Sequence, residues 1–273
     1  MDKVPNSRAN LDKAIQRLYG TGAKYLEIRA MIANTIVGQF LSEGVVKGGS
    51  ALRFRYGLDN TRMTVDFDTA HRNPIEEFIE TIATGLKAGW SGFTGEIVRR
   101  SPAKPRDIPP QYVMQPFDVK LLYLRRPWCT VRLEVGYDEI GDAQTAENFV
   151  SDEIANVFKS LCLDLPNPIP LMPLAHQVAQ KLHGATDPNG DRAHDLIDLQ
   201  LIYNHGEVEA HEVHRIAVRL FANRHRQSWP PKVLKKATRD ELYLDAKGDL
   251  PVLPTVDEAI AWANELIERI DNA

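Results

Sequence analysis

"VVKGGSALRFRYG", from Val45 to Gly57, and "RMTVDFDTA", from Arg62 to Ala70, decide how this chain folds. The first runs from a short buried strand into a glycine turn and then a helix carrying Arg53 and Arg55. The second alternates with period two, so Thr64, Asp66 and Asp68 share one strand face while Val65 and Phe67 take the other.

Working toward the N-terminus, Leu11, Ala14, Ile15 and Leu18 recur at helical spacing, and after "YGTGA" so do Ile28, Ile32, Ile36, Val37 and Phe40. Two helices are therefore predicted over 7–42, with Gly44 as the cap that ends the second. Working toward the C-terminus, the pattern predicts a helix over 74–88, a strand near "FTGEIVRR" and a proline-rich loop from Ser101 to Pro110. A hairpin follows in "FDVKLLYLRRPWCTVRLEVG", whose return strand carries Glu134 on the face opposite Leu133 and Val135.

After Gly141 the pattern turns helical: "AENFVSDEIANVFKSL", then a connector "DLPNPIPLMP", then "LAHQVAQKLHGA", a turn "DPNGD", "RAHDLIDLQLIYN" and "EVEAHEVHRIAVRLFANRH". The last helix opens with Thr255 and Glu258 in capping-box spacing. The fold class expected is α+β: a mixed sheet flanked by helices over 1–145, followed by a helical domain over 146–273.

Composition narrows the function. At 273 residues, 43% hydrophobic and 26% charged, the chain reads as an ordinary globular protein able to bury a core. No apolar run is long enough to span a membrane and the polar N-terminus is unlike a signal peptide, so the expected location is cytoplasmic with no membrane partner. Only Cys129 and Cys162 are present, too few for a disulfide framework or thiolate metal cage.

The net charge of -4 is unevenly spread. Between Val213 and Arg239 there is no Asp or Glu but eight cations, which leaves the remainder at -12. Such a block is either a footprint for a polyanion or a solvated helix face paired with acids elsewhere. "FANRHRQSWPPKVLKK" interleaves Phe221 and Trp229 with Arg224, Arg226, Lys235 and Lys236, a mixture suited to stacking on unpaired bases and contacting phosphates.

The acids carry the sharper chemistry. Carboxylates at i and i+2 on one strand face stand about 6 to 7 Å apart at the backbone, where each opposes ionisation of the other. A hard divalent cation removes that conflict, and Mg²⁺ is commonly held by one or two carboxylates plus substrate phosphates. Glu134 on a neighbouring strand supplies a third oxygen, which suits a two-metal phosphoryl-transfer site. The glycines complement this, because backbone N–H groups at a helix N-terminus accept a phosphate closely, and Ser50 adds a hydroxyl. Either motif alone is commonplace; their order and separation are not.

The pattern resembles the opening motif of the minimal nucleotidyltransferases, most closely the AbiEii/AbiGii toxin group. It is carried by Gly48, Gly49, Ser50, Ala51, Leu52, Tyr56, Gly57, Arg62, Thr64, Asp66 and Asp68. A second motif of that group is matched by Lys181 in "QKLHGA" and by Arg192, Asp195, Asp198 and Leu199 in "RAHDLIDL". The resemblance implies that Lys181 touches the nucleotide triphosphate while Asp195 holds that lysine or a nearby base, with Arg62, Thr64 and Arg192 joining the nucleotide site. Two departures stand out: His194 occupies a position where the group often has a second basic residue, and the 16 residues from Ser50 to Asp66 are slightly long for the superfamily.

The expectation is a Mg²⁺-dependent transfer of NMP from an NTP to an acceptor, with Mn²⁺ able to stand in. Asp66, Asp68 and Glu134 are the expected metal ligands. The resemblance implies a toxin of a toxin–antitoxin or phage-defence system, an antitoxin partner from a neighbouring gene, and RNA such as a tRNA 3′ end as acceptor. A protein or small-molecule acceptor, or a nucleotide-binding module without turnover, are the alternatives. "HEVH" places His211 and His214 at i and i+3 without a third ligand, so no zinc site is expected.

Overall fold

The computed structural model describes residues 3–103, 113–206 and 208–273. The proline-rich segment expected between Ser101 and Pro110 lies largely outside the described residues. Contacts divide the chain into two units, the first comprising 1–57, 64–138 and 143–171, the second 58–63, 139–142 and 172–273. The division thus falls at Met172 rather than near 145, because the stretch after Gly141 adds to the sheet.

The first unit holds a seven-stranded mixed sheet in the order β3-β4-β5-β2-β1-β7-β6. Its strands are β1 (Gly44–Val46), β2 (Asp66–His71), β3 (Phe93–Arg99), β4 (Gln115–Tyr123), β5 (Arg126–Tyr137), β6 (Glu147–Phe149) and β7 (Ile169–Leu171). β2 pairs parallel with β5 and β1 parallel with β7, while the other ladders are antiparallel. α1 (Arg8–Tyr19) and α2 (Ala23–Gly38) pack on β5, and α4 (Ile75–Ala88) packs on β3. α3 (Gly48–Tyr56) lies against β2, and α5 (Asp152–Ser160) against α2.

Burial explains most of these elements. α1 buries Leu11, Ala14 and Ile15, and Ser7 caps it by accepting from the Asn10 N–H. Leu18, expected on the same face, is instead 40% exposed in the helix's last turn. α2 buries Ile28, Ile32, Ile36 and Val37 as its periodicity requires.

Several expectations are corrected. Gly44 does not end α2, which stops at Gly38; it opens β1, where a Cβ would stand 2.5 Å from the Ala70 carbonyl and 2.8 Å from the Phe78 ring. β2 begins only at Asp66, so Val65 is 60% exposed and does not share the buried face of Phe67. The helix expected from Ala146 starts at Asp152, capped by Ser151, and is preceded by β6. The proline-rich connector contains β7, which lies beside β1 through Val46 and Leu171.

The second unit is helical: α6 (Leu174–Thr186), α7 (Ala193–His205), α8 (Ala210–Arg224), α9 (Arg239–Lys247) and α10 (Val256–Asp271). α6 packs on α7 and α8, and α10 packs on the same pair. α10 has the full capping box, with Thr255 and Glu258 each bonded to the other's backbone N–H. α9 was not expected, since only Arg239 and Tyr243 of it are buried while Leu242 and Leu244 stay exposed. No helix among the described residues is long and apolar enough to cross a membrane.

Candidate active site

Asp66 and Asp68 alternate with buried Phe67 at the start of β2 and point to one face. Glu134 reaches that face from β5, because the parallel ladder sets Asp68 opposite Glu134. Burial, then Asp68 and Asp66, push the Glu134 carboxyl above its ordinary range, and Lys47 pulls it back.

The glycine turn is fitted to Asp68. Gly48 has φ +64° and a Cβ there would stand 2.6 Å from an Asp68 carboxylate oxygen, so a side chain would meet both backbone strain and a clash. The Lys47 N–H donates to the Asp68 carbonyl at 2.9 Å, which fixes the turn to the strand. Ser50 is buried and its hydroxyl donates to the Asp66 carbonyl at 2.7 Å, so it ties α3 to the acid strand.

Lys47 was missed at the sequence level. It is only 9% exposed, and its reach toward β5 depends on Gly136, which no local pattern announces.

The donor set is one of carboxylate oxygens, the chemistry a hard divalent cation prefers, and the Glu134 carboxyl among them is raised first by burial and then by Asp68 and Asp66. Among the described residues no group of three or more His, Cys, Asp or Glu converges to hold a metal unaided.

The second unit contains its own charge network. Arg62 grips Asp198 through two parallel bonds of 2.9 Å, and the Lys181 ammonium donates to Asp198 at 2.6 Å and to Asp195 at 3.4 Å. Arg192 closes it, bonding Asp195 at 2.7 Å. Gly184 makes the approach of α6 and α7 feasible, since a Cβ there would lie 2.3 Å from an Asp195 oxygen.

Both aspartates are fully buried. Burial alone would raise the Asp198 carboxyl, but Lys181 and Arg62 more than reverse this and hold it down at about 2. Burial lowers the His194 imidazole below its ordinary value, against the pull of Asp195. Three fixed cations face two carboxylates, so the network carries a net positive charge.

The basic block is largely spent inside the second unit. Arg224 makes a two-pronged pair with Glu139, Arg226 pairs with Asp187, and Lys236 donates to the carbonyls of Asp187 and Pro188 and also to that of Gly190. Lys235 is mostly exposed beside Asp257. Phe221 is a core residue, and Trp229 packs edge-on against it while its N–H donates to Asp271. Phe221 is therefore closed to a base, while Trp229 is only partly exposed. His214 faces Asp271 and Trp229, and the "DPNGD" segment is a turn held by the Asn189 N–H on Asp187.

Comparison with known proteins gives the family. The family model described as nucleotidyl transferase AbiEii toxin, type IV TA system, matches residues 34–264. MenT4, a nucleotidyltransferase toxin of Mycobacterium tuberculosis H37Rv, shares the fold with a TM-score of 0.62 at 19% identity, over 98% of this chain and 90% of its own. JHP933 of Helicobacter pylori aligns with a TM-score of 0.46 at 15% identity, over 92% of this chain and 93% of its own. No curated protein matches the chain. With the family match running from α2 into α10 and taking in the glycine turn, the paired strand acids and the buried Lys181 network, the chain belongs to the AbiEii nucleotidyltransferase toxins of type IV toxin–antitoxin systems.

Proposed function

We propose that the enzyme moves NMP from an NTP to an RNA hydroxyl, such as a tRNA 3′ end, in a Mg²⁺-dependent reaction. The observation that carries this is the placing of two acids at a helix start: Asp68 lies opposite Glu134 in the ladder and against Gly48 at the head of α3. Asp66 and Asp68 would hold the metal, with Glu134 beside them. Bound Mg²⁺ supplies positive charge at the α-phosphoryl oxygens.

The backbone N–H groups of Gly48 and Gly49 open α3 toward anionic phosphate. Ser50 acts through Asp66, by fixing the strand that carries it. Glu134, the carboxyl raised above its usual range, is suited to take the acceptor proton. The acceptor oxygen then bonds to the α-phosphorus as the bond to the β-phosphate oxygen breaks and pyrophosphate leaves. Lys181, in a network of net positive charge, is assigned to neutralising that leaving group, with Arg62 and Arg192 keeping the network assembled. Catalysis is mostly positioning and fixed charge.

The biological reading follows the family: a toxin restrained by an antitoxin from a neighbouring gene, acting in phage defence. The test is incubation with Mg²⁺, each α-labelled NTP in turn and total cellular RNA, beside an Asp66→Ala/Asp68→Ala control. Label entering RNA only with the acids intact supports the proposal and names the base. Label entering protein or a small molecule instead overturns the RNA acceptor.

A further inference from the structure

Lys47 sits at the end of β1, 9% exposed, and its backbone is pinned to the Asp68 carbonyl. Its side chain crosses toward β5: a Cβ placed on Gly136 would lie 3.0 Å from the ammonium nitrogen. Gly136 stands two residues beyond Glu134, on the same sheet face, and opposite Ala70 in the ladder. The missing side chain at 136 is therefore what gives the ammonium its room. A charge buried this far is costly unless opposite charge lies close. Here that charge is Glu134, on which the ammonium acts in the sense opposite to the two aspartates.

We propose that Lys47 is a resident counter-cation on the acid face of β2 and β5, standing on the Glu134 side of it in the nucleotide-free enzyme and opposing a divalent ion until the triphosphate brings further negative charge. This rests on the reading of those acids as metal-holding. Its consequence is ordered loading: the free enzyme binds divalent metal weakly, and metal and nucleotide bind together.

The experiment titrates Mn²⁺ alone, without nucleotide, into wild type, Lys47→Met, Lys47→Gln and Asp66→Asn/Asp68→Asn, with melting curves of each in EDTA and in saturating Mn²⁺. Removing one positive charge beside a divalent ion should tighten Mn²⁺ binding by about tenfold or more. Both Lys47 variants should also melt earlier than wild type in EDTA and recover with Mn²⁺, because the metal replaces the missing charge. Unchanged or weaker Mn²⁺ binding in the Lys47 variants, while wild-type binding still depends on the aspartates, overturns the role of Lys47. Lys47 variants that stay misfolded at saturating Mn²⁺ overturn it too, since packing rather than charge is then what was lost. Wild-type binding indifferent to the aspartates overturns the metal assignment itself, and this role with it.

Discussion

Asp68 on β2 is the register partner of Glu134 on β5, and burial together with Asp68 and Asp66 lifts the Glu134 carboxyl above its ordinary value of 4.5. A carboxyl raised by folding holds its proton more tightly in the native state. Its stabilising contribution is thus full below 4.5 and is lost as pH rises through the folded value. Glu134→Gln, which mimics the protonated acid, should melt higher than wild type in EDTA at pH ~7 and lose that advantage below the unfolded value. The gain is small because the side chain is only half-buried. Melts across a pH series check it, and a gap of constant size at every pH counts against the cause given.

Gly48→Ala should cost activity on the order of 100-fold, the loss expected from misplacing a reacting group by about 1 Å. The new methyl collides with the Asp68 carboxylate at a position whose φ is +64°. Turnover measured beside a folding control separates this from collapse, and near-normal turnover would mean Asp68 needs no such placement.

Asp198→Asn should destabilise the protein by about 3–5 kcal/mol, the cost of leaving buried charge uncompensated. Arg62 and Lys181 both lose their carboxylate at once. In wild type this contribution is complete above the ordinary value of 3.8 and is lost only as pH falls toward about 2. Denaturant titration of the variant at neutral pH, and acid unfolding of wild type, read the two halves of this statement.

Lys236→Ala should be the damaging change in the basic block and Lys235→Ala the neutral one. Lys236 ties together the carbonyls of the turn that precedes α7, and leaving such groups unpaired costs about 1–3 kcal/mol. Lys235 meets Asp257 in solvent, where such pairs count for little. RNA labelling at several salt concentrations completes the comparison. A flatter salt slope for Lys235→Ala with unchanged stability would make that lysine a phosphate contact.

What the sequence made legible was whatever announced itself locally. The alternation of Asp66, Phe67 and Asp68, though not its expected start at Thr64, the glycine turn and the Thr255–Glu258 box all appear where their spacing put them. β6 and β7 were hidden because three residues are too few to show a period, and β7 is a strand only through its neighbours β1 and β6. α9 was hidden by its composition, with exposed leucines flanking one buried tyrosine. Lys47 reads as an ordinary lysine until β5 supplies the bare backbone at Gly136. The eight cations after Val213 read equally as a surface for a polyanion or as a face paired with acids elsewhere, and Glu139, Asp187 and three turn carbonyls take three of them, Arg224, Arg226 and Lys236.

The ladder between Val46 and Leu171 bears on how this protein comes into being. β1 is among the first strands to leave the ribosome, yet its outer neighbour is the last of the sheet to be made. Asp66 and Asp68 likewise wait for β5, some 65 residues downstream, before Glu134 stands beside them. Pairings this distant form slowly, because loop closure must come before any contact repays it. On the proposed reading of these acids, a growing chain that has already made its signature motif still lacks the strand that brings Glu134 beside Asp68, so translation alone sets the earliest moment at which the centre can be assembled.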